Sequence, residues 1–188
     1  MINRYPDRPV TASDGSSFRA LCIYLAFTFL HITLRSTEGD WQADIHIGDT
    51  YEGDECKHLQ KSRDRLHIEV AERSSLISLW HPSGIFCERT RYWCGNNEDV
   101  FVFNPLMLRD WYNKKRPRVV WYGQGQFYEN EVAGRELATI KSFVLSKEDA
   151  QKICLWRFQM IDGTWRCLRP SAIGSKSYSL RSRASPKT

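Results

Sequence analysis

No stretch of this sequence is apolar for long enough to cross a bilayer. The best candidate, Cys22 to Leu30, is closed off by His31 and Arg35, whereas a spanning helix needs roughly 20 apolar residues. It reads as a buried helix. The pattern of a secretory leader is missing too, because Arg4 and Arg8 stand far upstream of that run and no small-residue cleavage site follows it. The expectation is a cytoplasmic protein with no membrane partner. Nor is there a disulfide framework: cysteines at 22, 56, 87, 94, 154 and 167 are widely spaced in a chain too large and apolar to need one. Free thiols are expected. Internal repeats are lacking, and residues 170–188 contain no acid while carrying Lys176, Arg181, Arg183 and Lys187. Four of the five surplus positive charges therefore sit in a Ser-rich tail, and the body is nearly neutral. Such a tail binds phosphate without specificity or is simply a solvated terminus.

What is present suits one globular domain. The 188 residues can bury one sizeable core, and the 41% hydrophobic and 13% aromatic content rules out a chain disordered throughout. Residues 1–16 are polar, contain two prolines and read as a flexible arm; residues 17–169 form the domain; residues 170–188 form a disordered basic tail. Phe18 to Leu34 is long enough for a helix that Ser16 or Ser17 would cap, with a strand as the alternative. Alternation marks strands at Trp41 to Ile47, Glu52 to Leu59 and Arg65 to Ala71, expected as neighbours in one sheet with the helix on a face. Beyond Pro82, Ser83 and Gly84 a loop or short helix is expected through Trp93, then a strand at Asp99 to Phe103. Asn104 followed by Pro105 starts a helix, Val119 to Tyr122 reads as a strand, and Ser146 opens a short helix. Asp162-Gly163 between Leu155–Ile161 and Thr164–Leu168 is a hairpin signal. The fold class is mixed α/β, with a C-terminal hairpin.

Chemistry concentrates in one triplet. Period two sets Glu55 and Lys57 on the same strand face, with Asp44 on the preceding strand. Two carboxylates from adjacent strands make a hard, oxygen-lined site suited to Mg²⁺ or Mn²⁺, and an ammonium beside it stabilises hydroxide as it forms. Asp49 and Asp54 compete with Asp44 for the place of the first carboxylate. A zinc site from Cys56, His58, Cys87 and Cys94 fits poorly, since six residues separate the last two. His31-Ile32-Thr33 and His81-Pro82-Ser83 only loosely match a two-histidine phosphoesterase, because Pro82 removes a ladder donor. Arg109, Lys114, Lys115, Arg116 and Arg118 lie close in sequence to Trp111 and Tyr112, the mixture that grips phosphate and stacks on bases. A helix end rich in cations would look the same.

The arrangement from about Phe18 to Phe103 resembles the PD-(D/E)xK nuclease superfamily, particularly its phage and resolvase-type members. Asp44 matches the lone Asp, and Glu55 and Lys57 match the (D/E)xK pair. His67-Ile68-Glu69-Val70 matches a following strand with an acid, and Ser83 to Ile85 matches a Ser-Gly-Ile turn. The chain departs from the pattern at Ala43, where many members carry Pro, and at Cys56, where a large aliphatic is usual. The resemblance implies a restriction-endonuclease-like core, a mixed central sheet flanked by helices, and Mg²⁺-dependent hydrolysis of DNA. Asp44 and Glu55 would ligate the metal, Lys57 would assist the attacking water, and Glu69 would be an auxiliary acid. DNA is the implied partner, with dimerisation left open. The alternative is a non-catalytic domain that binds nucleic acid or a protein.

Overall fold

The computed structural model describes residues 12–36, 45–47, 53–59, 65–87, 89–123, 126–128 and 131–168. The first part of the expected N-terminal arm (1–11), the expected C-terminal tail and the start of the strand expected from Trp41 lie outside them. Helix α1 spans Ala12–Leu25 and continues through a wider π turn, Ala26–Leu30, that ends where His31 turns left-handed at φ 55°. The helix thus starts before Ser16 and Ser17, which lie inside it rather than capping it. Ala12 favours helix, and the helix begins in what the sequence assigned to the arm.

Strands β1 (Leu34–Ser36), β2 (Ile45–Ile47) and β3 (Gly53–His58) follow, each antiparallel to the next. β4 (Arg65–Glu72) and the short β5 (His81–Pro82) pair with one another, and a single 3₁₀ turn at Gly84–Phe86 leads to β6 (Arg91–Gly95) and β7 (Asp99–Phe103). Then come α2 (Pro105–Lys115), β8 (Val119–Gly123), β9 (Gln126–Tyr128), α3 (Glu131–Leu137), β10 (Ile140–Ser146), α4 (Lys147–Ile153), β11 (Trp156–Ile161) and β12 (Thr164–Leu168). The expected caps form: Asn104 accepts from the Leu106 amide at 2.8 Å and Ser146 from the Asp149 amide at 3.1 Å.

The strands build two sheets, a seven-stranded one ordered β1-β2-β3-β6-β7-β11-β12 and a five-stranded one ordered β5-β4-β10-β8-β9. The first is mixed, since β3 runs parallel to β6 while its other pairs are antiparallel. One expectation is overturned here. β2 and β3 are neighbours, but β4 belongs to the other sheet, where it pairs with β10 from Arg65↔Ser146 to Glu72↔Ile140. β4 offers Leu66, Ile68 and Val70, and its partner β10, some 70 residues downstream, supplies Phe143 and Leu145 to the same core. A long antiparallel ladder with a shared apolar face outcompetes the local neighbour. The segment through Trp93 likewise holds the strand β6, where a loop or helix was expected.

β6 and β7 explain why both faces of the first sheet are covered. Along β7, Phe101 and Phe103 join a core with β4, β10, α2 and α4, whereas Val100 and Val102 join a second core under α1 with Phe18, Cys22 and Leu25. Every residue of β6 and β7 is buried. A strand buried on both faces reads as a continuous apolar run, so period two is lost. Trp93 stacks on Phe158 at 6.0 Å in the helix-side core, and each such side chain contributes about 1.5–3 kcal/mol by leaving water.

Candidate active site

The inter-sheet side of β3 carries charge beside Tyr92 and Cys94 of β6. The register Glu55↔Tyr92 and Lys57↔Cys94 puts these four residues on the face toward the second sheet. Asp54, Cys56, Arg91 and Trp93 take the opposite face, toward α1. Lys57 Nζ lies 2.7 Å from Glu55 Oε1 and 3.0 Å from Glu69 Oε2, so the triplet on the first sheet and the acid on the second meet through one ammonium. All three are nearly sealed, with Glu55 8%, Lys57 6% and Glu69 5% exposed. Arg89 Nε stands 3.4 Å from Glu55 Oε2, giving two carboxylates and two cations in one buried network.

Glu69 reaches this network because β4 is irregular there. Ala71 pairs with Lys141 while Glu69 pairs with Ser142, so β4 holds one residue more than β10 at this step. A bulge of this kind re-aims side chains. The acid is then held from several directions. Ser83 Oγ donates to Glu69 Oε1 at 2.6 Å, the Glu69 amide donates to the Tyr92 hydroxyl at 3.3 Å, and Ser83 is itself tied to β4 by its amide on Val70 O at 3.1 Å. Gly84, at φ +55°, packs so tightly on β4 that a Cβ there would sit 2.3 Å from the Glu69 carbonyl oxygen. Full burial, with the Cys94 thiol as a lesser cause, pushes the Tyr92 phenol well above its ordinary range. It therefore remains a neutral hydroxyl beside the charges.

Of the three candidate first carboxylates, Asp44 and Asp49 lie outside the described residues. Asp54 is fully buried on the α1 side, where Oδ2 accepts from Arg91 Nε at 2.8 Å and Trp93 Nε1 at 2.7 Å. Burial raises its pKa despite the opposing Arg91 guanidinium. It faces away from Glu55 and serves the other core. The cysteines of the zinc alternative are likewise separated, Cys56 with the α1-side core and Cys94 with the inter-sheet core, and all six cysteines are free. Cys87 is half-buried near Glu55, and burial followed by that carboxylate pushes its thiol up. Among the described residues no three of His, Cys, Asp and Glu converge as a metal site.

The basic segment divides. Lys114, Lys115, Arg116 and Arg118 are exposed at and beyond the C-terminus of α2, with Lys114 Nζ 2.7 Å from Asp110 and Arg116 capping the helix at φ 45°. Arg109 turns the other way: Nε donates to the Ile85 carbonyl, Nη2 donates to the Cys87 carbonyl at 2.7 Å, and the guanidinium lies 5.7 Å from the Phe86 ring centre. Sequence reasoning reached Glu55, Lys57 and Glu69 but not Arg89 and Tyr92. Tyr92 is hidden in a strand without alternation, and Arg89 in a run, Glu88-Arg89-Thr90-Arg91, that reads as a solvated turn. No helix among the described residues is long and apolar enough to cross a membrane. No family model matches the chain, and neither a curated protein nor a solved structure is significantly similar to it.

Proposed function

We propose that this protein is a Mg²⁺- or Mn²⁺-dependent nuclease of the PD-(D/E)xK type that hydrolyses DNA phosphodiester bonds. The observation that carries the reading is the meeting of Glu55, Lys57 and Glu69, drawn from two sheets into one buried cluster. A buried charge network gains little stability over apolar residues of the same volume, so chemistry is the better reason for its presence. The core that the resemblance implies is a helix followed by three strands, a helix and a further strand; α1 ahead of β2 and β3 fits that order, whereas β4, the expected third strand, lies in the other sheet, and β3 pairs in parallel with β6. In place of a crossover helix, β4 and β5 lie between β3 and β6.

The donor chemistry suits a hard cation. Glu55 and Glu69 offer only oxygen, the donor type that Mg²⁺ and Mn²⁺ prefer. Asp44 would complete the set; it adjoins Ile45, whose pairing partner Asp54 is the residue before Glu55. A bound divalent ion would polarise a phosphate oxygen and lower the pKa of a water. Lys57 supplies positive charge where negative charge develops on the attacking oxygen and the phosphate. Glu69 fixes that ammonium by its 3.0 Å contact, and Arg89 balances Glu55. The exposed cations Lys114, Lys115, Arg116 and Arg118 would hold the DNA backbone; Arg116 lies about 10 Å along the α2 axis from Arg109.

Plasmid nicking with Mg²⁺ and with chelator tests the reading. Chelator should abolish cleavage. Glu55→Gln and Asp44→Asn should each do the same while leaving DNA binding intact, since each removes a negative charge near phosphate. Lys57→Ala should stop cleavage but spare much of the metal affinity measured by calorimetry. Wild-type cleavage by folded Glu55→Gln would reduce the cluster to scaffold and favour a non-catalytic binding domain.

A further inference from the structure

We propose that Arg109 is a positioning residue of this site, acting through the Ser83–Cys87 turn and Glu69 to fix the Lys57 ammonium. The inference rests on the nuclease reading for its kinetic consequence, but the geometry stands apart from it. Arg109 sits on α2, a helix anchored by its Asn104 cap and by Leu108 in the inter-sheet core. Its guanidinium grips the carbonyls on both sides of Phe86, and the Phe86 ring meets Tyr112 of the same helix edge-on at 6.0 Å. The turn is thereby clamped to α2. On its other side, the turn presents Ser83 to Glu69 and presses Gly84 against the β4 backbone. With Oε1 of Glu69 taken by the Ser83 hydroxyl, Oε2 is the oxygen that meets Lys57. A planar fork on two carbonyls sets the direction of a turn in a way that a single ammonium cannot.

A direct contact with DNA is the competing role for an arginine in this basic segment, and the two roles separate in measurement. Five proteins are compared, each checked for its melting temperature: wild type, Arg109→Lys, Ser83→Ala, Ser83→Thr and the double variant Arg109→Lys/Ser83→Ala. The first readout is the rate of reductive methylation of Lys57, mapped by mass spectrometry. It should rise severalfold in Arg109→Lys and Ser83→Ala, and stay near wild type in Ser83→Thr, which retains the hydroxyl. The second readout is steady-state nicking. The brace predicts that kcat falls about 100-fold in Arg109→Lys and Ser83→Ala, the scale of a small misplacement, with KM and DNA affinity unchanged. The double variant should be no worse than the poorer single one, since both act along one path. Wild-type methylation and kcat in Arg109→Lys would overturn the proposal. So would weaker DNA binding with a shallower salt dependence and an unchanged kcat, the signature of a lost phosphate contact. If Arg109→Lys does not fold, Ser83→Ala against Ser83→Thr decides. If the wild type cuts no DNA, the nuclease reading fails, and the methylation rates still decide the brace.

Discussion

At the scale of single residues, the acid of β4 owes its position to a glycine two strands' length away in sequence. Gly84 adopts φ +55° directly over the Glu69 backbone, and the space for a Cβ is already occupied by the Glu69 carbonyl. Two costs therefore fall on Gly84→Ala. The left-handed backbone alone costs about 1–2 kcal/mol, and the turn must also move off β4, which takes Ser83 Oγ away from Glu69. Chemical unfolding of Gly84→Ala should show a loss at the upper end of that range or beyond, together with faster exchange of the Cys87 amide, which bonds to Gly84 O at 3.1 Å. A loss no greater than that of Gly163→Ala, where nothing lies within 4 Å of the added atom, would mean that the tight approach is not maintained in solution.

At the scale of elements, the C-terminal hairpin isolates the backbone term. β11 and β12 pair from Arg157↔Leu168 to Ile161↔Thr164, with Asp162 at φ 50° and Gly163 at φ 73°, the two left-handed residues of a type I′ turn. Gly163→Val puts a β-branched residue in that region and should destabilise the protein by about 2 kcal/mol. Calorimetric melting checks this, and an unchanged midpoint would count against the turn type. This hairpin, the two capped helices and the strands at Gly53–His58, Arg65–Glu72 and Asp99–Phe103 were legible because each signal lies within a few residues. β6 was not: Tyr92 and Trp93 face different cores, so the apolar pattern gives no period. The sheet to which β4 belongs was also illegible, since its partner β10 comes some 70 residues later. Within the site, Glu55 and Lys57 could be read from their spacing. Their meeting with Glu69 depends on a bulge and on the approach of two sheets, neither of which a local pattern encodes.

At the scale of the whole molecule, the charged network lies where two sheets could have met through apolar side chains. That choice has a measurable consequence. Lys57 holds two buried carboxylates at 2.7 and 3.0 Å, so Lys57→Met leaves Glu55 and Glu69 in a sealed space with one fewer cation. Removing one partner of a buried ion pair costs about 3–5 kcal/mol, because the remaining charge has lost its compensation, whereas replacing the whole group by apolar residues of similar size is often neutral or stabilising. Lys57→Met should therefore unfold at clearly lower urea, and adding Glu55→Leu and Glu69→Leu should recover the whole of the loss even though two further native residues have been removed. If the site exists for chemistry, the triple variant should be at least as stable as wild type and show no Mg²⁺-dependent nicking, as expected where a functional site is retained at a cost in stability. A triple variant less stable than Lys57→Met alone would show instead that the network's own geometry joins the sheets, and the argument from its low structural worth to a chemical role would fall.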